Sequence, residues 1–158
     1  VRMMANSTRV EVSGLKELGA AMSLLGSDIA KKISFAGVLA GANIIKKSAQ
    51  AKAPIAEAAY IARQKAGDKG VLVQPANIAR NIVNKRIKSD LTAEYIVTVR
   101  GKRQHGYAAN IARLQEFGTV KQSPQPFLRP AYEAEKENAV KAIKDRLEKR
   151  IIKANTSK

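Results

Sequence analysis

Cysteine is absent from the 158 residues, which excludes disulfides, thiolate nucleophiles and cysteine-ligated metals. Tryptophan is absent too, and aromatic residues make up only 4% of the chain. So little ring surface argues against the base-stacking platform of single-strand binders. No apolar run approaches the roughly 18–20 residues that span a bilayer, and Val1 to Arg9 lack the apolar core of a signal peptide. A soluble protein assembled in the cytoplasm, without membrane contact, is expected.

Acidic residues are also scarce. Asp and Glu total 13 against 29 Lys and Arg, a formal net charge of +16. A balance this basic calls for acidic partners, whether nucleic acid, an anionic surface or an acidic protein face. The chemistry of catalysis is thin by comparison. An enzyme needs convergent polar groups with tuned proton affinities. The one histidine, His105, lies in a basic stretch and reads as a solvated loop residue. No GxSxG elbow, GxxxxGK[ST] loop or GxGxxG turn occurs. The chain is expected not to be an enzyme.

The length suits one domain with its own core. Residues 8–13 alternate polar and apolar and predict a short strand. Gly14 breaks it. Leu15, Leu18, Met22 and Leu25 then recur at helical spacing. A long Ala-rich helix is predicted over about 28–52, with Ser27 as N-cap and Asp28 in the first turn. Its stripe reads Ile29, Ile33, Ala36, Ala40, Ile44 and Ala51, with Val38, Ala42 and Ile45 beside it. Gly37 and Gly41 sit inside it at a cost of about 1 kcal/mol each, which suggests close packing on a neighbour. Pro54 ends it.

Residues 54–79 read as an exposed, mobile excursion, with a helical turn or two over 56–65 and a turn at Gly67–Gly70. Residues 80–87 and 94–100 predict two strands, the second rich in β-branched residues. Tyr107–Phe117 suits a short helix or a half-buried strand, closed by Gly118. Gln122–Pro130 carries three prolines and must be extended. A last helix is predicted from Pro130, as its first residue, to about Ile152. Its stripe is Tyr132, Val140, Ile143, Leu147 and Ile151, with Glu133, Glu135 and Glu137 near the positive end of the dipole. The order implies an α+β fold, a small antiparallel sheet packed against a long central helix and a C-terminal helix.

Two segments are candidates for function. Arg80, Lys85, Arg86, Lys88, Arg100, Lys102 and Arg103 would gather on one edge and one end of a hairpin. They form either a patch for DNA or an acidic partner, or an edge protected by charge against unwanted pairing.

The second is the pair Glu116-Phe117-Gly118-Thr119 and Pro124-Gln125-Pro126-Phe127-Leu128-Arg129-Pro130. Gly118 would supply a bend. The prolines would hold an extended arm. Phe127 and Leu128 would enter a pocket on this subunit or the next, and Arg129 would pair with Glu116.

These two motifs and the helix after them resemble a tail-component family of lambda-like long-tailed bacteriophages and prophages, the tail-completion or head–tail joining proteins. Gly14-Leu15-Lys16-Glu17-Leu18, Lys52-Ala53-Pro54 and Asn77-Ile78-Ala79-Arg80-Asn81-Ile82 are similar to the family as well. The stretch between Pro54 and Asn77 departs from it, being longer and poorer in glycine. The resemblance implies a virion protein in a ring at the neck, a hexamer before other numbers. Other neck and tail proteins would be its neighbours, and contact with packaged DNA would be transient. It implies no cofactor and no catalytic residues. Two other classes compete: a stand-alone basic nucleic-acid-binding protein, suggested by the charge, and a small basic RNA-cleaving toxin, suggested only by His105 and the arginines near it.

Overall fold

The structure, a computed structural model, describes residues 14–63, 67, 69–89 and 92–156. The strand expected over 8–13 lies outside them. In chain order the elements are α1 (Leu15–Ser23), α2 (Ser27–Lys52), β1 (Tyr60–Ala62), β2 (Val71–Val73), α3 (Asn77–Asn81), β3 (Ile82–Ile87), β4 (Glu94–Val99), a 3₁₀ turn (Arg103–His105), α4 (Ala108–Phe117) and α5 (Leu128–Thr156). The fold is α+β, as the pattern implied. It has two antiparallel two-stranded sheets, β1–β2 and β3–β4, rather than one.

The spine is the pairing of α2 with α5. A Cβ added at Gly37 would lie 2.6 Å from Leu147 Cδ2, and one at Gly41 would lie 2.7 Å from Ile143 Cγ1 and 2.9 Å from the Ala139 carbonyl oxygen. Rising numbers on α2 meet falling numbers on α5, so the helices run antiparallel. The two glycines have the packing role that their helix cost suggested, and α5 is the neighbour.

Part of α2's expected stripe needs correction. Ile33 and Ala42 are buried as expected, but Ile29 is 44% exposed and Ala51 is exposed, whereas Phe35 and Ala49 are buried. A helix wedged between α5 and a sheet is covered on more than one side, so no single stripe marks it. Its start is also shifted. Gly26 is the N-cap, and Ser27 is the first helical residue with no side-chain cap bond. The end falls where proline dictates, with Ala53 extended before Pro54.

Two apolar clusters sit at opposite ends of this spine. Leu18, Leu25, Ile33 and Ile151 join α1 to one end. Ala49, Ala53, Ile78, Ile82, Ala112, Phe127 and Ala131 bring α3, β3, α4 and the start of α5 to the other.

The β3–β4 hairpin pairs Ile82 with Val99 through to Ile87 with Glu94. Alternation then puts Ile82, Asn84, Arg86, Tyr95, Val97 and Val99 on one face. That face meets α2: Asn84 Nδ2 donates to Asn43 Oδ1 at 2.7 Å, Arg86 lies 3.4 Å above the Phe35 ring, and Tyr95 meets Phe35 edge-on. Val83, Lys85, Ile87, Glu94, Ile96 and Thr98 form the other face.

Other local differences have clear causes. The segment 56–65 holds strand β1, not a helical turn, because Tyr60–Ala62 pair with Val71–Val73. The excursion is not exposed throughout, since Val73 is 2% and Ile78 4% exposed. Arg80 and Asn81 belong to α3 rather than the strand. Asn81 Nδ2 donates to the Asn77 carbonyl at 2.9 Å and closes that turn. Helix α5 begins at Leu128, so Pro130 is its third residue. The missing N–H still falls in the first turn, where it needs no partner. Tyr132 is 45% exposed while Ala131 is fully buried, so the stripe of α5 slips by one residue at its start, whereas Ile143 and Leu147 meet Gly41 and Gly37 and Ile151 is buried, as expected.

Gly41→Ala should therefore destabilise the protein by about 1–3 kcal/mol, despite alanine's better helix propensity. Gly37→Ala should cost less, because it meets a side chain instead of a carbonyl. Urea denaturation of both variants measures the difference.

Candidate functional site

Helix α5 begins without a capping side chain of its own, and its first turn holds no acidic residue. Its free N–H groups are met by Glu116, near the end of α4. Glu116 Oε2 accepts from the N–H groups of Phe127 at 2.8 Å and Leu128 at 3.0 Å. Its Oε1 accepts from the Arg129 N–H at 3.2 Å. A carboxylate at the positive end of a 29-residue helix is stabilised by the dipole and by charge-assisted hydrogen bonds. Glu133, Glu135 and Glu137, expected to serve this end, lie beyond the first turn.

Partial burial pushes the Glu116 carboxyl up. The bonds from Leu128, Phe127 and Arg129, with the nearby Arg129 charge, outweigh it and hold the group below its ordinary value of 4.5. The charge pair expected between Glu116 and Arg129 is replaced by a bond to the backbone N–H of Arg129.

The segment between Glu116 and Phe127 is a tight strap. Gly118 has φ +74°, and a Cβ there would lie 2.8 Å from Pro124 N and 2.9 Å from the Gln122 carbonyl oxygen. That is the bend expected of it, and left-handed backbone at such close quarters suits glycine alone. Thr119 N–H donates to the Gln122 carbonyl at 2.8 Å, and Gln125 N–H to the Gln115 carbonyl at 2.7 Å. Gln122 Nε2 donates to Gln115 Oε1 at 3.1 Å. Pro124 and Pro126 are exposed on the extended return.

The apolar residues of the two motifs divide. Phe127 is fully buried among Ala49, Ile78, Ile82, Ala112 and Ala131 of its own chain. Its pocket is internal, so it is not available to a neighbour as a sequence-predicted contact. Leu128 is half-buried against the same cluster. Phe117 points outward at 71% exposure, and Val120, at the tip of the strap, is fully exposed at 106%. Leu114, one turn before Phe117, is 43% exposed. Thr119 and Arg129 are exposed. Val120 and Leu114 were not among the expected contacts. A lone valine in a polar loop carries no sequence signal, and Leu114 falls in Tyr107–Phe117, the segment that suits a short helix or a half-buried strand.

The seven basic residues do not form one patch. Arg100 follows β4 and its N–H bonds to the Asn81 carbonyl at 3.0 Å, so Arg80, Arg100, Lys102 and Arg103 belong to one end of the β3–β4 hairpin. Lys88 lies at the other end, about 20 Å away at the strand rise. Arg86 lies against Phe35 on the covered face, and Lys85 is on the open one. The even–odd period of the strand separates neighbours that the sequence places side by side. A cleft of about 530 Å³ lies at the Arg100 end, lined by Lys85, Thr98, Arg100, Lys102, Gln104 and His105 among others. Gln104 and His105 were outside the predicted patch.

Among the described residues no group of three or more His, Asp or Glu is placed to hold a metal ion, and no helix is long and apolar enough to cross a membrane. Compared with protein-family models, curated proteins and solved structures, the chain matches none.

Two outcomes are expected. Phe127→Ala should lower the stability of the single chain by about 3–5 kcal/mol, read as an earlier thermal melt at any protein concentration. Glu116→Ala should cost about 0.5–2 kcal/mol at pH 7. Because the folded carboxyl titrates below its ordinary value, its contribution is complete above pH 4.5 and is lost as pH falls through the lowered value. The gap between parent and variant in urea melts should narrow below that pH.

Proposed function

We propose that this chain is a non-enzymatic structural subunit of a long-tailed phage virion. In this reading copies join as a ring, a hexamer first, at the neck or the head-proximal tail end, where the ring completes the tail or joins it to the head. Other neck and tail proteins lie above and below.

The observation that carries the reading is the strap itself. The two motifs that resemble the tail-component family are locked together by Glu116. Phe117 and Val120 are left outward on a rigid base, 71% and 106% exposed. Apolar side chains held this way favour association, because little conformational freedom is lost on docking. A knob on one face that meets a different face of the next copy makes a heterologous contact, and such contacts form a ring when the rotation between copies closes. The two-stranded β1–β2 ribbon, with Ile61 50% and Leu72 57% exposed, offers another surface for a neighbour. The net charge of +16 favours a second reading, a stand-alone nucleic-acid-binding protein acting as a monomer.

Sedimentation and electron microscopy of the chain, alone and with the proteins encoded beside its gene, test the proposal. Rings or defined complexes are expected. A Phe117→Asp, Val120→Asp double variant should melt like the parent and fail to join them. A chain that stays monomeric with every such neighbour would sink the reading and leave the monomeric nucleic-acid binder.

A further inference from the structure

The cleft beside the β3–β4 hairpin combines features that the strap does not explain. Lys85 reaches it from the open face of β3, and Arg100 and Lys102 from the segment after β4. No carboxylate lines it, and none of these three cations forms an ion pair with a described residue. Thr98, Gln104 and half-buried His105 add neutral hydrogen-bonding groups.

The turn that forms one wall is held in place. Asn77 Nδ2 donates to the Gly106 carbonyl at 3.3 Å, Arg103 Nη2 to the Gly70 carbonyl at 3.3 Å, and Ala109 N–H to the Arg100 carbonyl at 3.1 Å. Gly106 has φ +58° and leaves an added Cβ only 3.1 Å from Val73 Cγ2 and Asn77 Nδ2, so the turn is tucked against α3 and β2.

We propose that this cleft grips the phosphodiester backbone of nucleic acid without reading its sequence. Three unopposed cations and several neutral donors in about 530 Å³ suit one or two adjacent phosphates with their sugars. Phe, Tyr and Trp are missing from the lining, so the cleft has no large stacking platform for bases, and contacts to phosphate carry no sequence information. Among the described residues no carboxylate occupies the cleft, which leaves it open to an outside anion. The chain's 13 acidic residues cannot neutralise 29 basic ones, and Glu133 and Glu135 on α5 are already bonded to Lys136 and Asn138. The site needs no second copy, so it stands whether or not the ring reading does.

Fluorescence anisotropy with short labelled duplexes of two unrelated sequences, over a salt series, tests it. The parent should bind both alike. Replacing Lys85, Arg100 and Lys102 with Gln should lower the slope of log affinity against log salt by about 1 per cation removed. Lys141→Gln, Lys149→Gln and Arg150→Gln, made together at exposed positions of α5, remove the same charge and should leave the slope near the parental value. If the cleft triple variant melts early, Lys102→Gln alone should still show a drop of about 1. Equal losses in the two triple variants would overturn the proposal, since binding would then follow net charge. So would absent duplex binding by the parent. Polyglutamate that binds the parent more tightly than duplex, and is lost in the cleft variant, would assign the cleft to an acidic protein instead.

Discussion

Gly41 lets the backbone of α2 come so near α5 that an added Cβ would lie 2.9 Å from the Ala139 carbonyl oxygen. Everything else in the molecule is arranged around that approach. With the two long helices this close, α1 closes one end through Leu18 and Leu25. At the other end α3, β3 and α4 collect around Phe127 and Ala131. The sheet then lies across the part of α2 that α5 leaves uncovered. A chain with few aromatic residues gains much of its packing this way, by bringing backbones together over small residues rather than by filling space with rings.

The start of α5 depends on a second long-range interaction. Neither its own first turn nor the residue before it supplies an acceptor. Glu116 reaches across the strap and takes three N–H groups at once. One carboxylate thereby fixes the entry angle of α5, the seat of Phe127 and the course of residues 118–126. Structural and interaction surfaces are consequently coupled. The same geometry that buries Phe127 turns Phe117 and Val120 outward.

The charge is distributed in a comparable way. Arg86 stacks on Phe35 and contributes to the inner face of the hairpin, where a cation over a ring is worth about 0.5–2 kcal/mol. Arg103 helps to hold its own turn. Lys85, Arg100 and Lys102 remain at the cleft. A run of positive residues along the sequence therefore separates into packing, positioning and open-surface roles, because consecutive side chains on a strand leave on opposite faces.

Much of the architecture was legible in the sequence by itself. The α+β class, the long Ala/Gly helix and its end at Pro54, the β3–β4 strands and the bend at Gly118 all follow from local signals. These are helical and strand periods, the restriction before proline and the freedom of glycine. What only the tertiary structure decided depends on contacts between residues distant in the chain. The β1–β2 ribbon replaced the expected helical turn because Tyr60–Ala62 found Val71–Val73. The buried side of α5 was set by other elements: Gly37 and Gly41 take Leu147 and Ile143, and the cluster of Ala49, Ile78, Ile82 and Ala112 takes Ala131 rather than Tyr132. The acceptor for the first N–H groups of α5 came from residue 116, since a helix end takes whichever anion the fold brings to it, and no local pattern announces which one that will be.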